Sequence, residues 1–81
     1  SKGARVTTHI TLPGRNLVLM PTVDYIGVSR RIAQESERER LRIAAERTKP
    51  QGMGMIVRTV AEGASDDELA NDIRFLIPLW E

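Results

Sequence analysis

A short apolar run at residues 53–57 ends at Arg58 and Thr59 and is flanked by two segments with helical periodicity. A run this short, preceded by a glycine, indicates a buried β-strand rather than a helix. A strand placed between two helices requires a layer that mixes α and β elements. At the end of such a strand, an arginine fork and a hydroxyl can bind one phosphate. The alternative is that Arg58 only marks where the strand reaches water.

Three further segments favour β-strands. Apolar and polar residues alternate over residues 6–12, which is the period of a half-buried strand, and Leu17–Met20 is typical of a short buried strand. Pro13 and Gly14 between them indicate a turn. The two runs therefore either pair across this turn or belong to different substructures. After a loop from Thr22, residues 26–32 predict a third, more polar strand.

The first helix is predicted to open at Ser36, because Ser36 and Glu39 have the spacing of a capping box. A narrow apolar stripe follows, and oppositely charged pairs cover the rest of the surface. The helix is therefore expected on the outside of the molecule. The stripe consists of Leu41, Ala44 and Ala45, and the pairs are Glu37–Arg40, Glu39–Arg42 and Arg42–Glu46.

The second helix has a second capping box, Ser65 and Glu68, with further acidic residues in its first turn. Pro78 is predicted to bend or fray the last turn. Phe75 lies beside the apolar stripe and, with Trp80, is expected in the core. The stripe comprises Leu69, Ile73, Leu76, Ile77 and Trp80.

These elements predict an α+β fold: a small mixed sheet of three to four strands with two helices. A strand that starts almost at once and a tryptophan at the end of the last helix indicate a piece cut out of a longer chain. With 81 residues the core is small, and a net charge of +1 argues against a broad basic surface, so anion recognition must be local. No stretch approaches the roughly 20 apolar residues of a membrane span.

Catalytic and metal constellations are not visible in the sequence. His9 is the single histidine and there is no cysteine, so a His/Cys metal site or thiol catalysis is excluded within this stretch. The acidic group of Asp66, Asp67, Glu68 and Asp72 is explained by helix capping. The glycines at 52 and 54 precede a strand, which is the wrong order for a nucleotide-binding loop. With one Tyr, one Phe and one Trp, no platform for stacking bases is predicted.

Several segments, in this order and spacing, resemble the ribonuclease E/G family of bacterial endoribonucleases. They are Lys2-Gly3-Ala4-Arg5 with Thr7-Thr8, residues 12–21 (LPGRNLVLMP), residues 27–32 (GVSRRI) and residues 57–63 (VRTVAEG). The resemblance covers nearly the whole chain and favours the ribonuclease G branch. It implies that residues 1–13 are the C-terminal strand of an S1 oligonucleotide-binding domain and residues 14–81 a 5′-sensor domain.

The resemblance also implies the site. The family's phosphate-binding pair falls on Arg58 and Thr59, and its contacts to the terminal nucleotide fall on Gly14 and Val18. Lys2 and Arg30 match further RNA contacts. The expected partner is single-stranded RNA with a 5′-monophosphate, alongside the remaining domains of a cytoplasmic, homo-oligomeric parent enzyme. The family's magnesium and zinc ligands lie outside this chain, so no cofactor and no catalytic residue are expected here.

Two hypotheses of different class therefore stand. In the first, the chain senses the 5′-phosphate of RNA, which requires Arg58 and Thr59 to lie against the Gly14 hairpin. In the second, it is a structural module that contacts neighbouring domains or a dimer partner through Trp80 and the apolar stripe. A third hypothesis, a free-standing enzyme, has little support, because no acid–base or nucleophile constellation is present.

Overall fold

The apolar runs form one four-stranded mixed sheet in a computed structural model, which describes residues 10–80. Strand β2 runs antiparallel to both β1 and β4, whereas β3 runs parallel to β4. The parallel pair needs a crossover, which helix α1 supplies. The α+β class is thereby confirmed. The elements are β1 (Leu12–Pro13), β2 (Leu17–Met20), β3 (Ile26–Val28), α1 (Glu35–Thr48), β4 (Gly54–Val57), a 3-10 turn (Thr59–Ala61) and α2 (Asp66–Trp80), with spatial strand order β1-β2-β4-β3.

Both helices cover the same face of the sheet. Leu17 and Leu19 in β2 and Met55 and Val57 in β4 are fully buried there, in one cluster with the helix stripes. Side chains alternate along a strand, so the residues between them point to the opposite face. Ile56 on that face is 37% exposed, and no helix of the described chain covers it. The sheet thus has a core face and an open face.

The pairing of β1 with β2 decides between the two arrangements that the sequence left open. Leu12 pairs with Leu19 across the turn, and the Gly14 N–H donates to the Leu17 carbonyl at 2.7 Å. The predicted strand at residues 6–12 is described only from residue 10 onward; its remainder and His9 lie outside the described residues. The third strand is shorter than predicted, because the chain turns after Val28.

Helix α1 begins at Glu35, one residue before the predicted start, and Ser36 makes no capping bond. Its predicted partner Glu39 instead accepts hydrogen bonds from Arg42, which also pairs with Glu46. The N-cap position belongs to Gln34, whose carbonyl accepts the Glu37 and Arg38 N–H groups, so Ser36 lies inside the first turn and cannot act as the cap. The three predicted ion pairs and the buried stripe of this helix are confirmed.

Glu37 connects the start of α1 to the turn before α2. Its carboxylate accepts hydrogen bonds from the Arg40 guanidinium at 2.6 Å and from the Gly63 N–H at 2.7 Å. The bond to Arg40, followed by the bond to Gly63, lowers the pKa of Glu37 to about 2. The group therefore stays ionised at neutral pH and keeps this link between the two helical segments.

Helix α2 has the capping box that the sequence predicts. The Glu68 N–H donates to the Ser65 hydroxyl at 3.2 Å, and the Ser65 N–H donates to the Glu68 carboxylate at 2.9 Å. Leu69, Ile73 and Leu76 are buried as expected. The prediction that Phe75 and Trp80 belong to the core is wrong: Phe75 is 71% exposed and Trp80 38%. Phe75 is two residues from Ile73, so it projects from the far side of the helix.

We expect Ser65→Ala to lower the free energy of unfolding by about 1 kcal/mol, the usual contribution of a serine N-cap. Ser36→Ala is the matched control, because Ser36 makes no capping bond, and it should change stability by less than about 0.5 kcal/mol. Urea denaturation of the two variants gives the comparison. Equal losses of stability in Ser65→Ala and Ser36→Ala would contradict the conclusion that serine caps α2 but not α1.

Candidate anion-binding site

Arg58 directly follows β4 and lies against the β1–β2 hairpin. Its N–H donates to the Asn16 carbonyl at 2.8 Å. Its guanidinium Nη1 donates to the Gly14 carbonyl at 2.9 Å and more weakly to the Arg15 carbonyl at 3.4 Å. The hairpin therefore fixes both ends of this residue. Arg58 and Gly14, 44 positions apart in sequence, meet as the sensor hypothesis requires.

The hairpin carbonyls use only part of the Arg58 guanidinium. A guanidinium has five N–H donors, two of them on Nη1. Nε and Nη2 have no partner within residues 10–80, and the side chain is exposed. One edge of the fork is thus anchored while the other remains free for a planar or tetrahedral anion.

Thr59 begins the 3-10 turn beside Arg58, and its hydroxyl contacts that of Ser29. The two oxygens are 2.7 Å apart, and the Ser29 Oγ also accepts the Arg31 N–H at 3.2 Å. A serine hydroxyl has one proton to give and two lone pairs. If Ser29 gives its proton to the Thr59 oxygen, the Thr59 proton is free to point at an anion. Ser29 can therefore orient the Thr59 hydroxyl.

A hollow with a volume of about 510 Å³ opens where β3 and β4 end. All of its lining residues among those described are basic, hydroxyl-bearing or apolar. Positive charge and hydroxyl donors without a carboxylate favour an anion. The lining consists of Ser29, Arg31, Ile56, Val57, Arg58, Thr59 and Val60.

The other predicted site residues are distributed as follows. Val18 pairs with Ile56 and therefore lies on the open face beside the hollow. Arg30 lines a different hollow of about 260 Å³, together with Arg38 and Arg42 of α1. Lys2 lies outside the described residues. Of the adjacent arginines, it is Arg31, not Arg30, that the structure places with Arg58.

Gly14 allows the hairpin to approach helix α2. A Cβ at this position would lie 2.9 Å from an oxygen of Asp72, closer than real Cβ atoms approach, and 3.0 Å from the Leu76 side chain, which is a tight contact. The same Asp72 oxygen accepts the Asn16 N–H at 2.5 Å. Asp72, grouped in the sequence with the capping carboxylates, therefore ties the hairpin to α2 and positions the carbonyls that hold Arg58.

From the sequence, residues 29–31 are of interest only if they converge on Arg58, with at most one of the two arginines in a site; Ser29 and Arg31 do so. The sequence did not indicate Tyr25 as an exposed ring on the open face. Ser29 lay in the middle of the predicted strand 26–32, and its place beside Thr59 follows from the earlier end of β3 at Val28, which the sequence pattern did not show. Within residues 10–80, no three His, Cys, Asp or Glu side chains converge as metal ligands would. In the same range, no helix has the length and apolar character needed to span a membrane.

Fold and hollow together define a small α+β domain with a basic, hydroxyl-lined hollow at the end of its sheet. The chain belongs to the ribonuclease E/G family, whose family model matches residues 11–81.

The relatives are much longer than this chain. Ribonuclease G from Escherichia coli (strain K12) is 54% identical over 81 residues, which cover 99% of this chain and 16% of that protein. Ribonuclease G from Haemophilus influenzae is 51% identical, covering 99% of this chain and 16% of that protein. Ribonuclease E from Nostoc is 51% identical, covering the whole chain and 12% of that protein.

The fold also occurs outside the family. A solved structure of a Staphylococcus aureus RNase P protein mutant, described as defective in mRNA degradation, matches 88% of this chain and 74% of that one. Its TM-score is 0.57 at 14% sequence identity. The likeness at this identity concerns the fold alone.

Proposed function

We propose that this chain is the segment of a bacterial endoribonuclease that senses a 5′-monophosphate on RNA. The observation that carries the proposal is the arrangement around Arg58. The hairpin carbonyls hold Nη1, which leaves Nε and Nη2 free, and Arg58 shares its hollow with Thr59 and Arg31. Charge-assisted bonds from a guanidinium and a hydroxyl are the usual way to bind a terminal phosphate.

The same arrangement favours one phosphate over three. The Gly14 and Arg15 carbonyls occupy Nη1 of Arg58, which leaves few free donors beside the Thr59 hydroxyl. The additional charge of a triphosphate would be left without partners, so the site discriminates partly through unpaired charge. Gly14 and Val18 border the phosphate site and would contact the terminal nucleotide.

Cleavage is assigned to other parts of a longer protein. In this proposal residues 1–13 complete an S1 domain, with Lys2 as an RNA contact, and residues 14–81 form the sensor. The remaining domains carry the magnesium and zinc of the full-length enzyme, which is a cytoplasmic homo-oligomer active in RNA processing and decay. Arg30, in the hollow next to α1, would contact RNA outside the phosphate site.

The proposal is tested by comparing three oligoribonucleotides of one sequence that differ only at the 5′ end. In the full-length protein, the 5′-monophosphate form should bind most tightly, and the 5′-hydroxyl and 5′-triphosphate forms should bind more weakly. Fluorescence anisotropy at fixed salt gives the affinities, because salt alone changes RNA binding. Equal affinity for the monophosphate and hydroxyl forms would refute the proposal.

Ser29→Ala should reduce the preference for the 5′-monophosphate by about fivefold, since a hydrogen bond contributes roughly 1 kcal/mol. The cause is that the Thr59 hydroxyl loses the partner that orients it. Ser29→Thr restores a hydroxyl and should recover most of the preference. The measurement is the affinity ratio of monophosphate to hydroxyl oligonucleotide; an unchanged ratio in Ser29→Ala would show that Ser29 has no such role.

The exposed apolar side chains of α2 favour one alternative, a structural module that contacts neighbouring domains or a second copy. Phe75 is 71% exposed, Leu79 63% and Trp80 38%. Such a cluster is typical of a protein contact surface. Under this alternative, a 5′-monophosphorylated dinucleotide would leave the NMR signals of Arg58 and Thr59 unmoved.

A further inference from the structure

The open face of the sheet carries an apolar row that leads to the anion site. Val18 pairs with Ile56, and Ile56 is level with Gly27 on β3. These three positions therefore cross the sheet side by side, opposite the buried core face. Ile56 also lines the anion-binding hollow, so row and hollow are continuous.

Tyr25 supplies an aromatic ring at the end of this row. It precedes Gly27 by two residues, which places it on the same face. A Cβ at Gly27 would lie 3.0 Å from the Tyr25 Cε2 and 3.2 Å from its Oη, so the ring rests on the glycine where a side chain would otherwise stand. The residue is nevertheless 53% exposed, which leaves much of the ring open to a ligand.

From this arrangement we infer that Tyr25 stacks on the base of the second nucleotide of an RNA whose 5′-phosphate occupies the anion site. The inference rests on the proposed function. Ser29 lines the anion site, and Gly27, on which the Tyr25 ring rests, lies two residues before it on the same face, about 7 Å along an extended strand. That separation exceeds the rise of about 3.4 Å between stacked nucleotides, so the terminal nucleotide fits between phosphate and ring.

Charge favours RNA as the occupant of this face. Two guanidinium groups, Arg31 and Arg58, stand at the end of the row. An exposed aromatic ring beside arginines is how proteins hold unstacked bases of single-stranded RNA. A neighbouring protein domain would instead require a broader apolar area, and here one position of the row is a glycine.

The test uses the full-length protein and 5′-monophosphorylated oligoribonucleotides with either a normal or an abasic second position. Tyr25→Ala should weaken binding of the normal oligonucleotide by about tenfold, the scale of one base–aromatic stack. With the abasic oligonucleotide, wild type and Tyr25→Ala should bind alike. Tyr25→Phe should keep wild-type affinity, because it retains the ring.

Gly27→Ala is a second variant that keeps the tyrosine but displaces its ring, and it should reproduce the weakened binding. Phe75→Ala is the matched control, since it removes an exposed aromatic residue from helix α2, which covers the opposite face of the sheet, and should leave RNA affinity unchanged. Circular dichroism of each variant checks that the fold is retained.

Three results would overturn the inference. The first is unchanged affinity in Tyr25→Ala, and the second is an equal loss of affinity with normal and abasic oligonucleotides. The third is a Tyr25→Ala variant that changes only the thermal unfolding of the full-length protein, because that would mean that another domain covers this face. Failure of the proposed function is separate and appears in wild type, as equal binding of 5′-monophosphate and 5′-hydroxyl RNA.

Discussion

Replacing Arg58 with alanine in the full-length protein is expected to abolish the preference for 5′-monophosphorylated RNA, with a loss of about a hundredfold in kcat/KM on that substrate. The physical reason is the removal of a charged hydrogen-bond pair to phosphate, which contributes roughly 2–3 kcal/mol. Nε and Nη2 of Arg58 are free donors of the site. Arg31 lines the same hollow, but within residues 10–80 no carbonyl anchors its guanidinium as Gly14 anchors that of Arg58, so Arg31 should not replace the anchored fork.

The control substrate is the same RNA with a 5′-hydroxyl, cleaved at a site that does not depend on its 5′ end. Its cleavage should change less than about threefold in Arg58→Ala, because a sensor does not take part in the chemistry. Arg74→Ala is the matched protein control, since Arg74 is an exposed arginine of α2 that bonds only to Asn71 in the described structure. Equal losses on both substrates would mean that Arg58 supports folding or catalysis instead.

Thr59→Val separates recognition from structure at the same site. Valine keeps the shape of threonine but has no hydroxyl, so the fold should persist while the preference for the monophosphate falls. Because Arg58 also anchors the Gly14 hairpin, this second variant shows whether the loss comes from phosphate recognition. If Thr59→Val kept the full preference for 5′-monophosphorylated RNA, the Thr59 hydroxyl would have no role in recognising the phosphate.

Leu69→Ala is expected to lower the free energy of unfolding by about 2–5 kcal/mol, the range for truncating a fully buried leucine. Leu69 is 0% exposed and belongs to the cluster that joins α2 to the sheet. A loss of this size is large for a domain of this length, whose total stability is on the order of 5–10 kcal/mol.

Leu79→Ala on the same helix is the control, because Leu79 is 63% exposed. It should change stability by less than about 0.5 kcal/mol. Chemical denaturation with a constant m-value gives both numbers. A large loss for Leu79→Ala would show that its apolar surface is covered, in favour of the structural alternative.

Local patterns were sufficient for most of the fold. The alternation and short runs predicted β2 and β4, and the Ser65–Glu68 spacing predicted the start of α2, because each depends on neighbours within four residues. The Ser36 box failed because the helix begins one residue earlier, with Gln34 at the N-cap, and spacing alone does not decide between neighbouring starts. The prediction for Phe75 was wrong because the sequence shows only that an apolar residue lies beside the stripe. It does not show how much of the helix surface the sheet covers.

The candidate site was predictable only in part. Arg58 and Thr59 were visible at the end of a strand, and the resemblance added Gly14 and Val18. Arg31 was not distinguishable from Arg30, because the side that each takes depends on where β3 ends and the chain turns. Ser29 and Tyr25 depend on the parallel pairing of β3 with β4, a contact between residues about 30 positions apart.

The most direct test of the central claim is an NMR titration of the protein with a 5′-monophosphorylated dinucleotide and, separately, with its 5′-hydroxyl counterpart. The account predicts that the monophosphate moves the signals of Arg58, Thr59, Ser29 and Arg31 at concentrations where the hydroxyl form moves none of them. Identical shifts with both ligands, or shifts confined to the hollow beside α1 that contains Arg30, would contradict it.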